Sequence, residues 1–140
     1  MANLKYYDVE REMFGADLRG TILIQDISKE IRRICRHFHV PTIQHELWRG
    51  RYSFYDRDGR FIRFAYCDTR NWGSGYIFVS SLLHEIAHYL DDCQRSKEIE
   101  AVFRNDTRNY VRRSATIRQA KWHGPRHRAQ MVALVKWWLD

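Results

Sequence analysis

The segment His84-Glu85-Ile86-Ala87-His88 has the residue types and the spacing of a catalytic metal site. In a helix with about 3.6 residues per turn, His84 and His88 lie about 40° apart on one face. Two imidazoles in that relation can bind one zinc ion. Glu85 is turned about 100° from His84, which places a carboxylate beside the metal, where it can accept a proton from water. The spacing therefore predicts metal-dependent hydrolytic chemistry.

A catalytic zinc site needs a third protein ligand and leaves one position for water. The extended motif His-x-x-Gly-x-x-His, which supplies that ligand in one class of zinc enzymes, is excluded because Asp91 and Gln94 occupy the glycine and final histidine positions. Glu98 and Glu100 are weak candidates. They follow the helix of His84 and His88 so closely that the chain has little length in which to fold back to the metal.

Two histidines further along the chain are the remaining candidates for the third ligand. His123 is followed by Gly124, which lets the chain turn, and by Pro125, which is favoured at the first position of a helix. From that corner His123 can point back at a neighbouring helix, whereas His127 lies one turn into the last helix. The sequence favours His123 as the third ligand and keeps His127 as the alternative.

The two segments together resemble those of the SprT-like (Spartan-type) zinc metallopeptidases. In that family the histidines of the His-Glu-x-x-His motif and the histidine of a downstream His-Gly-Pro segment bind zinc. The resemblance implies that His84, His88 and His123 bind Zn²⁺ and that Glu85 is the general base of peptide-bond hydrolysis. It also implies a minimal zincin-like fold, in which an extended protein or peptide substrate pairs with an edge strand, here residues 75–79.

Peptide-bond hydrolysis also needs a hydrogen-bond donor for the oxyanion that forms in the transition state. The unranked candidates for this role are Tyr89, Tyr110 and Arg126.

The elements around the motif predict one α+β domain over residues 1–140. Apolar residues at helical spacing predict an N-terminal helix from Asp26, with Asp26 or Ser28 as its N-cap, that Pro41 ends. An Asp-Gly turn indicates a hairpin between the first two of three strands. The predicted strands are 51–55, 60–66 and 75–79. They are expected to form a small, mainly antiparallel sheet of three or four strands.

Three further helical segments are predicted after the strands. The metal helix is capped by Ser80 or Ser81 and ends near Asp92. An Arg-rich segment over 95–121, helical in pieces, is inserted between the metal ligands. A C-terminal helix begins at Pro125.

The net charge of +7 comes from 24 basic and 17 acidic residues, and 19 of the basic residues are arginine. Arg104, Arg108 and Arg112 recur at helical spacing, as a basic stripe that either is solvated or contacts nucleic acid. The alternative function is therefore a nucleic-acid-binding or regulatory protein with a non-catalytic zincin shell or a structural zinc. A structural zinc takes four protein ligands, with His127 joining His123.

The remaining composition predicts a cytoplasmic protein without a membrane span. No apolar run approaches the roughly 18 residues that a span requires. The first residues do not resemble a signal peptide, and three widely spaced cysteines do not form a disulfide framework. The remaining histidines and the C-terminal tryptophan pair are predicted to be structural: His37, His39, His45, Trp137 and Trp138.

Overall fold

The computed structural model describes residues 20–68 and 75–140, and this part of the chain has the predicted α+β architecture. Residues 1–19 and 69–74 of the predicted domain lie outside the described residues. The described helices are α1 (Ile24–His37), α2 (Val79–Asn105), α3 (Tyr110–Gln119) and α4 (Pro125–Leu139). The described strands are β1 (Thr21–Leu23), β2 (Gln44–Trp48), β3 (Phe54–Asp56), β4 (Phe61–Ala65), β5 (Cys67–Asp68) and β6 (Gly75–Phe78).

The strands form two small sheets rather than the single sheet that was predicted. One has the strand order β1-β6-β5 and the other β2-β4-β3. Strands β2 and β4 run parallel, and the other described pairs are antiparallel. The predicted hairpin is confirmed as β3 and β4, and its turn is stabilised by the amide of Gly59, which donates to Asp56 Oδ1 at 2.9 Å.

Strand β6 lies in the middle of its sheet, so the prediction that residues 75–79 form an edge strand is wrong. Strand β1 pairs with β6 from Tyr76 to Phe78, and β5 pairs with it at Gly75 and Tyr76. Strand β1 is more than fifty residues away from β6 in the sequence, so a local sequence pattern does not reveal that the two strands pair. Strand β6 nevertheless leads directly into α2, as the sequence predicts.

Helix α1 begins and ends earlier along the chain than the sequence predicts. It begins at Ile24 with no side-chain cap, so the predicted N-cap is wrong. It ends at His37, before Pro41, and the next turn places His39 at a φ of 56°. This left-handed conformation is typical of the residue that terminates a helix, which gives His39 a structural role.

Helix α2 is a single rod of 27 residues, about 40 Å long. It begins at Val79, whose amide donates to the carbonyl of Gly20 at 2.9 Å, and the predicted serine caps lie inside the helix. It ends at Asn105 rather than near Asp92. The predicted inserted segment over 95–121 is therefore the second half of α2, a 3₁₀ turn and α3.

The predicted basic stripe does not lie on one helix. Arg104 belongs to α2, Arg108 to the 3₁₀ turn Thr107–Asn109, and Arg112 to α3. The helical spacing is interrupted at Asp106, where α2 ends. Contact with nucleic acid stays a prediction.

The core surrounds the first half of α2, where every residue from 82 to 92 is buried. A helix that is buried on all sides needs neighbours around it, and here these include α4, β3, β4 and β6. Trp137 and Trp138 pack against this core from α4, and the ring of His37 stacks on Trp137, so these residues have the predicted structural role. No helix in residues 20–68 and 75–140 is long and apolar enough to cross a membrane.

Candidate metal centre

Helix α2 carries the predicted motif in its buried half. The exposed fractions of His84, Glu85 and His88 are 1%, 3% and 2%. The two imidazoles lie one turn apart on the same face, with their ring centroids 4.9 Å apart. The core around them therefore places both rings and the carboxylate in an environment from which most water is excluded.

The turn between α3 and α4 places the third histidine. The amide of Gly124 donates to the carbonyl of Lys121 at 3.2 Å, and a Cβ at position 124 would lie 2.9 Å from Lys121 Cβ. This close approach requires glycine, and Pro125 then begins α4 as predicted. His123 lies inside this turn and faces α2.

The three imidazoles converge on one point. His123 Nε2 lies 3.0 Å from His88 Nε2 and 3.3 Å from His84 Nε2. The ligand atoms of all three residues lie within 4.8 Å of one another, so this histidine trio can hold a metal ion. With Zn–N bonds of about 2.0–2.1 Å, tetrahedral geometry separates two ligand nitrogens by about 3.3 Å. The two distances from His123 Nε2 fit that value to within a few tenths of an ångström.

Burial disfavours the charged form of His84 and His88. Desolvation lowers the pKa of His84 to about 4. Desolvation also lowers the pKa of His88 far below its usual range, and the neighbouring histidines, His127 first among them, lower it further. A neutral imidazole keeps the nitrogen lone pair that a metal ion needs.

Glu85 lies beside the trio without belonging to it. Its Oε1 atom is 3.9 Å from His84 Nε2, and its side chain is 4% exposed. The carboxylate is therefore close to the point on which the imidazoles converge. This is the position that the helical spacing predicts for a general base.

His127, the alternative third ligand, lies against the trio in another role. Its Nε2–H donates to the carbonyl oxygen of His84 at 3.0 Å, and the residue is fully buried. Its ring also packs against His88, with the centroids 4.0 Å apart. The structure thus brings His123 into the trio and uses His127 to support α2, so a four-histidine structural site gains no support.

Trp122 orients the His88 ring. The two rings are nearly parallel, at 7°, with their centroids 4.4 Å apart. His88 Nδ1 is a buried atom that has no hydrogen-bond partner among the described residues, whereas ligand imidazoles commonly donate their second N–H to a fixed acceptor. The His88 ring is therefore oriented by stacking on Trp122 and by packing against His127.

A buried ion pair follows the motif along α2. Arg95 and Asp91 are each 1% exposed, and the arginine contacts both carboxylate oxygens. Sequence reasoning missed this pair, although a signal was present. Positions 84, 88, 91 and 95 follow one another at spacings of four, three and four, which puts four polar side chains on one face of the helix.

The weaker candidates of the sequence lie elsewhere. Glu98 and Glu100 are on α2 itself, about 20 Å further along the helix axis than His84, where they pair with Arg126 and Arg104. They therefore cannot complete the trio.

The three residues considered as oxyanion donors also have other partners. The hydroxyl of Tyr89 donates to the carbonyl of Pro41 at 2.6 Å. The ring of Tyr110 packs on Phe103, and the guanidinium of Arg126 pairs with Glu98. The described contacts support none of the three in that role.

Comparisons with known protein families, with curated proteins and with solved structures find no match to this chain. The site is therefore interpreted from its own geometry.

Proposed function

We propose that this protein is a zinc-dependent peptidase similar to the SprT-like enzymes, with His84, His88 and His123 as metal ligands. The observation that carries the proposal is the convergence of three imidazoles beside a buried carboxylate. Three histidines leave one position of a tetrahedral zinc ion open, which is the arrangement of catalytic rather than structural zinc.

The proposed roles follow from the positions of the side chains. A zinc ion at such a site supplies Lewis acidity, which polarises the scissile carbonyl and makes water nucleophilic at neutral pH. Glu85 accepts the proton of the attacking water and transfers it to the leaving amine. His127 and Trp122 hold the ligand rings in place through the carbonyl contact and the stacking described above. The proposed substrate is a protein or peptide.

The experiment compares Glu85→Gln with wild-type protein, both loaded with zinc, using fluorescein-labelled casein as substrate. We expect the variant to retain its zinc content, measured by mass spectrometry of the metal, while the hydrolysis rate falls by about 10²–10⁴-fold. Glutamine keeps the size of the side chain but cannot take up the proton, so only the chemical step is lost.

Glu100→Gln is the matched control, because it makes the same change at an exposed position of the same helix. It should hydrolyse casein at the wild-type rate. An active Glu85→Gln protein, or zinc-loaded wild-type protein that leaves casein intact, refutes the proposal.

A further inference from the structure

We propose that Arg95 is a positioning residue for the third metal ligand, His123. Its guanidinium, anchored on α2 by Asp91, binds the backbone of the segment that leads to His123 and so sets the distance of that imidazole from α2. This inference rests on the metal site of the proposed function and does not depend on the chain being a peptidase.

The anchor is a bidentate ion pair. Arg95 Nε donates to Asp91 Oδ1 at 3.1 Å, and Nη2 donates to Oδ2 at 3.0 Å. Two parallel hydrogen bonds fix the plane of a guanidinium. Asp91 lies one turn after His88, so the anchor belongs to the same face of α2 as the two ligands.

The other guanidinium hydrogens donate to backbone carbonyl oxygens at the end of α3 and in the turn that follows it. The last carbonyls of a helix have no partner within it and carry partial negative charge, which a buried cation complements. Nη1 donates to three carbonyl oxygens and Nη2 to a fourth. The acceptors are Ile117 (3.3 Å), Arg118 (3.2 Å), Ala120 (2.8 Å) and Lys121 (3.2 Å).

The last of these acceptors is separated from His123 by one residue. That residue is Trp122, which stacks on His88, and the Arg95 guanidinium carbon lies 5.5 Å from the centre of its ring. Residues of α2 thus contact both the backbone of Lys121 and the ring of Trp122, the two residues before His123. Because these contacts fix the backbone at Lys121 and the side chain of Trp122, they restrict the conformations that His123 can adopt.

Lysine cannot replace arginine in this arrangement. An ammonium group has its donors on a single nitrogen, whereas the planar guanidinium spans the carboxylate on one side and the carbonyls on the other. Arg95→Lys therefore keeps the positive charge and removes the connection between α2 and the end of α3.

The test measures zinc affinity by competition with a chromophoric chelator, in the absence of any substrate. We expect Arg95→Lys to weaken zinc affinity by about 10–100-fold, the range found when groups that orient metal ligands are removed. The matched control is Arg104→Lys, at a second arginine of α2 that also pairs with an acid four residues earlier. It should stay within about twofold of wild type, since Arg104 is exposed and lies at the far end of the helix.

A His123→Ala background separates positioning from a general structural effect. If Arg95 acts through His123, Arg95→Lys has no further effect on zinc affinity once that imidazole is absent. An equal loss in both backgrounds overturns the proposal. Asp91→Asn is the second variant, and it should reproduce the effect because it releases the anchor.

Chemical denaturation of each zinc-free variant completes the test. Folded variants with wild-type zinc affinity overturn the proposal, and so does loss of the folded state in both Arg95→Lys and Asp91→Asn. Wild-type protein that binds no zinc overturns this inference together with the proposed function. Wild-type protein that binds zinc but leaves casein intact overturns the proposed function alone, because this test measures zinc affinity without any substrate.

Discussion

Helix α2 contains two ion pairs with the same sequence pattern and different surroundings. Asp91–Arg95 and Glu100–Arg104 both place an acid four residues before an arginine. The side chains of the first pair are each 1% exposed, whereas the exposed fractions of Arg104 and Glu100 are 72% and 59%. The comparison shows that tertiary contacts, rather than the local pattern, decide whether such a pair is structural.

The energetic difference follows from the number of partners. A buried ion pair has a large desolvation cost, which is offset only when the remaining donors are also satisfied. Arg95 meets this condition because four backbone carbonyls surround its outer edge. The exposed pair gains little, because water and salt already stabilise both of its charges.

The largest effect is expected from Arg95→Leu. This substitution leaves the Asp91 carboxylate buried without a counter-charge and removes the donor from four carbonyls. We expect the free energy of unfolding, measured in urea, to fall by about 3–5 kcal/mol. A fall of less than about 1 kcal/mol would show that burial does not distinguish the two pairs.

An intermediate effect on the free energy of unfolding is expected from substitution of Asp92. Its carboxylate forms hydrogen bonds with one buried and one half-exposed side chain. It accepts hydrogen bonds from the Tyr55 hydroxyl at 2.7 Å and from Arg57 Nε at 3.0 Å. Asp92→Ala should lower the free energy of unfolding by about 1–3 kcal/mol, because a buried hydroxyl loses its acceptor. Tyr55→Phe removes only one of the two bonds, so it should cost less, and the reverse order would contradict this reading.

The smallest effect is expected for the exposed pair. Glu100→Gln should change the free energy of unfolding by no more than about 0.5 kcal/mol. That difference should shrink in about 1 M salt, because salt ions screen the interaction between exposed charges. Salt should leave the cost of Arg95→Leu almost unchanged, because the buried pair is shielded from solvent ions. Equal salt dependence of both substitutions would remove the distinction.

Most of the histidine trio and Glu85 could be predicted from sequence because their geometry is largely local. Helical periodicity alone puts His84 and His88 on one face, with Glu85 beside them. The Gly-Pro pair marks the start of a helix, and so the corner that carries His123. The α+β class follows from equally local signals, such as the turn between β3 and β4.

The elements that depend on distant contacts could not be predicted. Helix α2 continues through polar residues to Asn105 because α3 packs along it, whereas its polar sequence alone indicates a separate segment. The central position of β6 depends on pairing with β1, more than fifty residues earlier. The sequence alone does not distinguish Arg95 from an exposed arginine, because its partners at the end of α3 are more than twenty residues away along the chain.

The contacts of Arg95 join the chain at two points, residue 95 on α2 and residues 117–121 at the end of α3. The chain between them, residues 96–116, contains the second half of α2, the 3₁₀ turn and the first part of α3. Its tip at Asn105 lies about 25 Å beyond His88 along the axis of α2. We expect insertions at this exposed tip, near residues 105–109, to leave the histidine trio in place, so new surfaces could be added there without changing the proposed metal site.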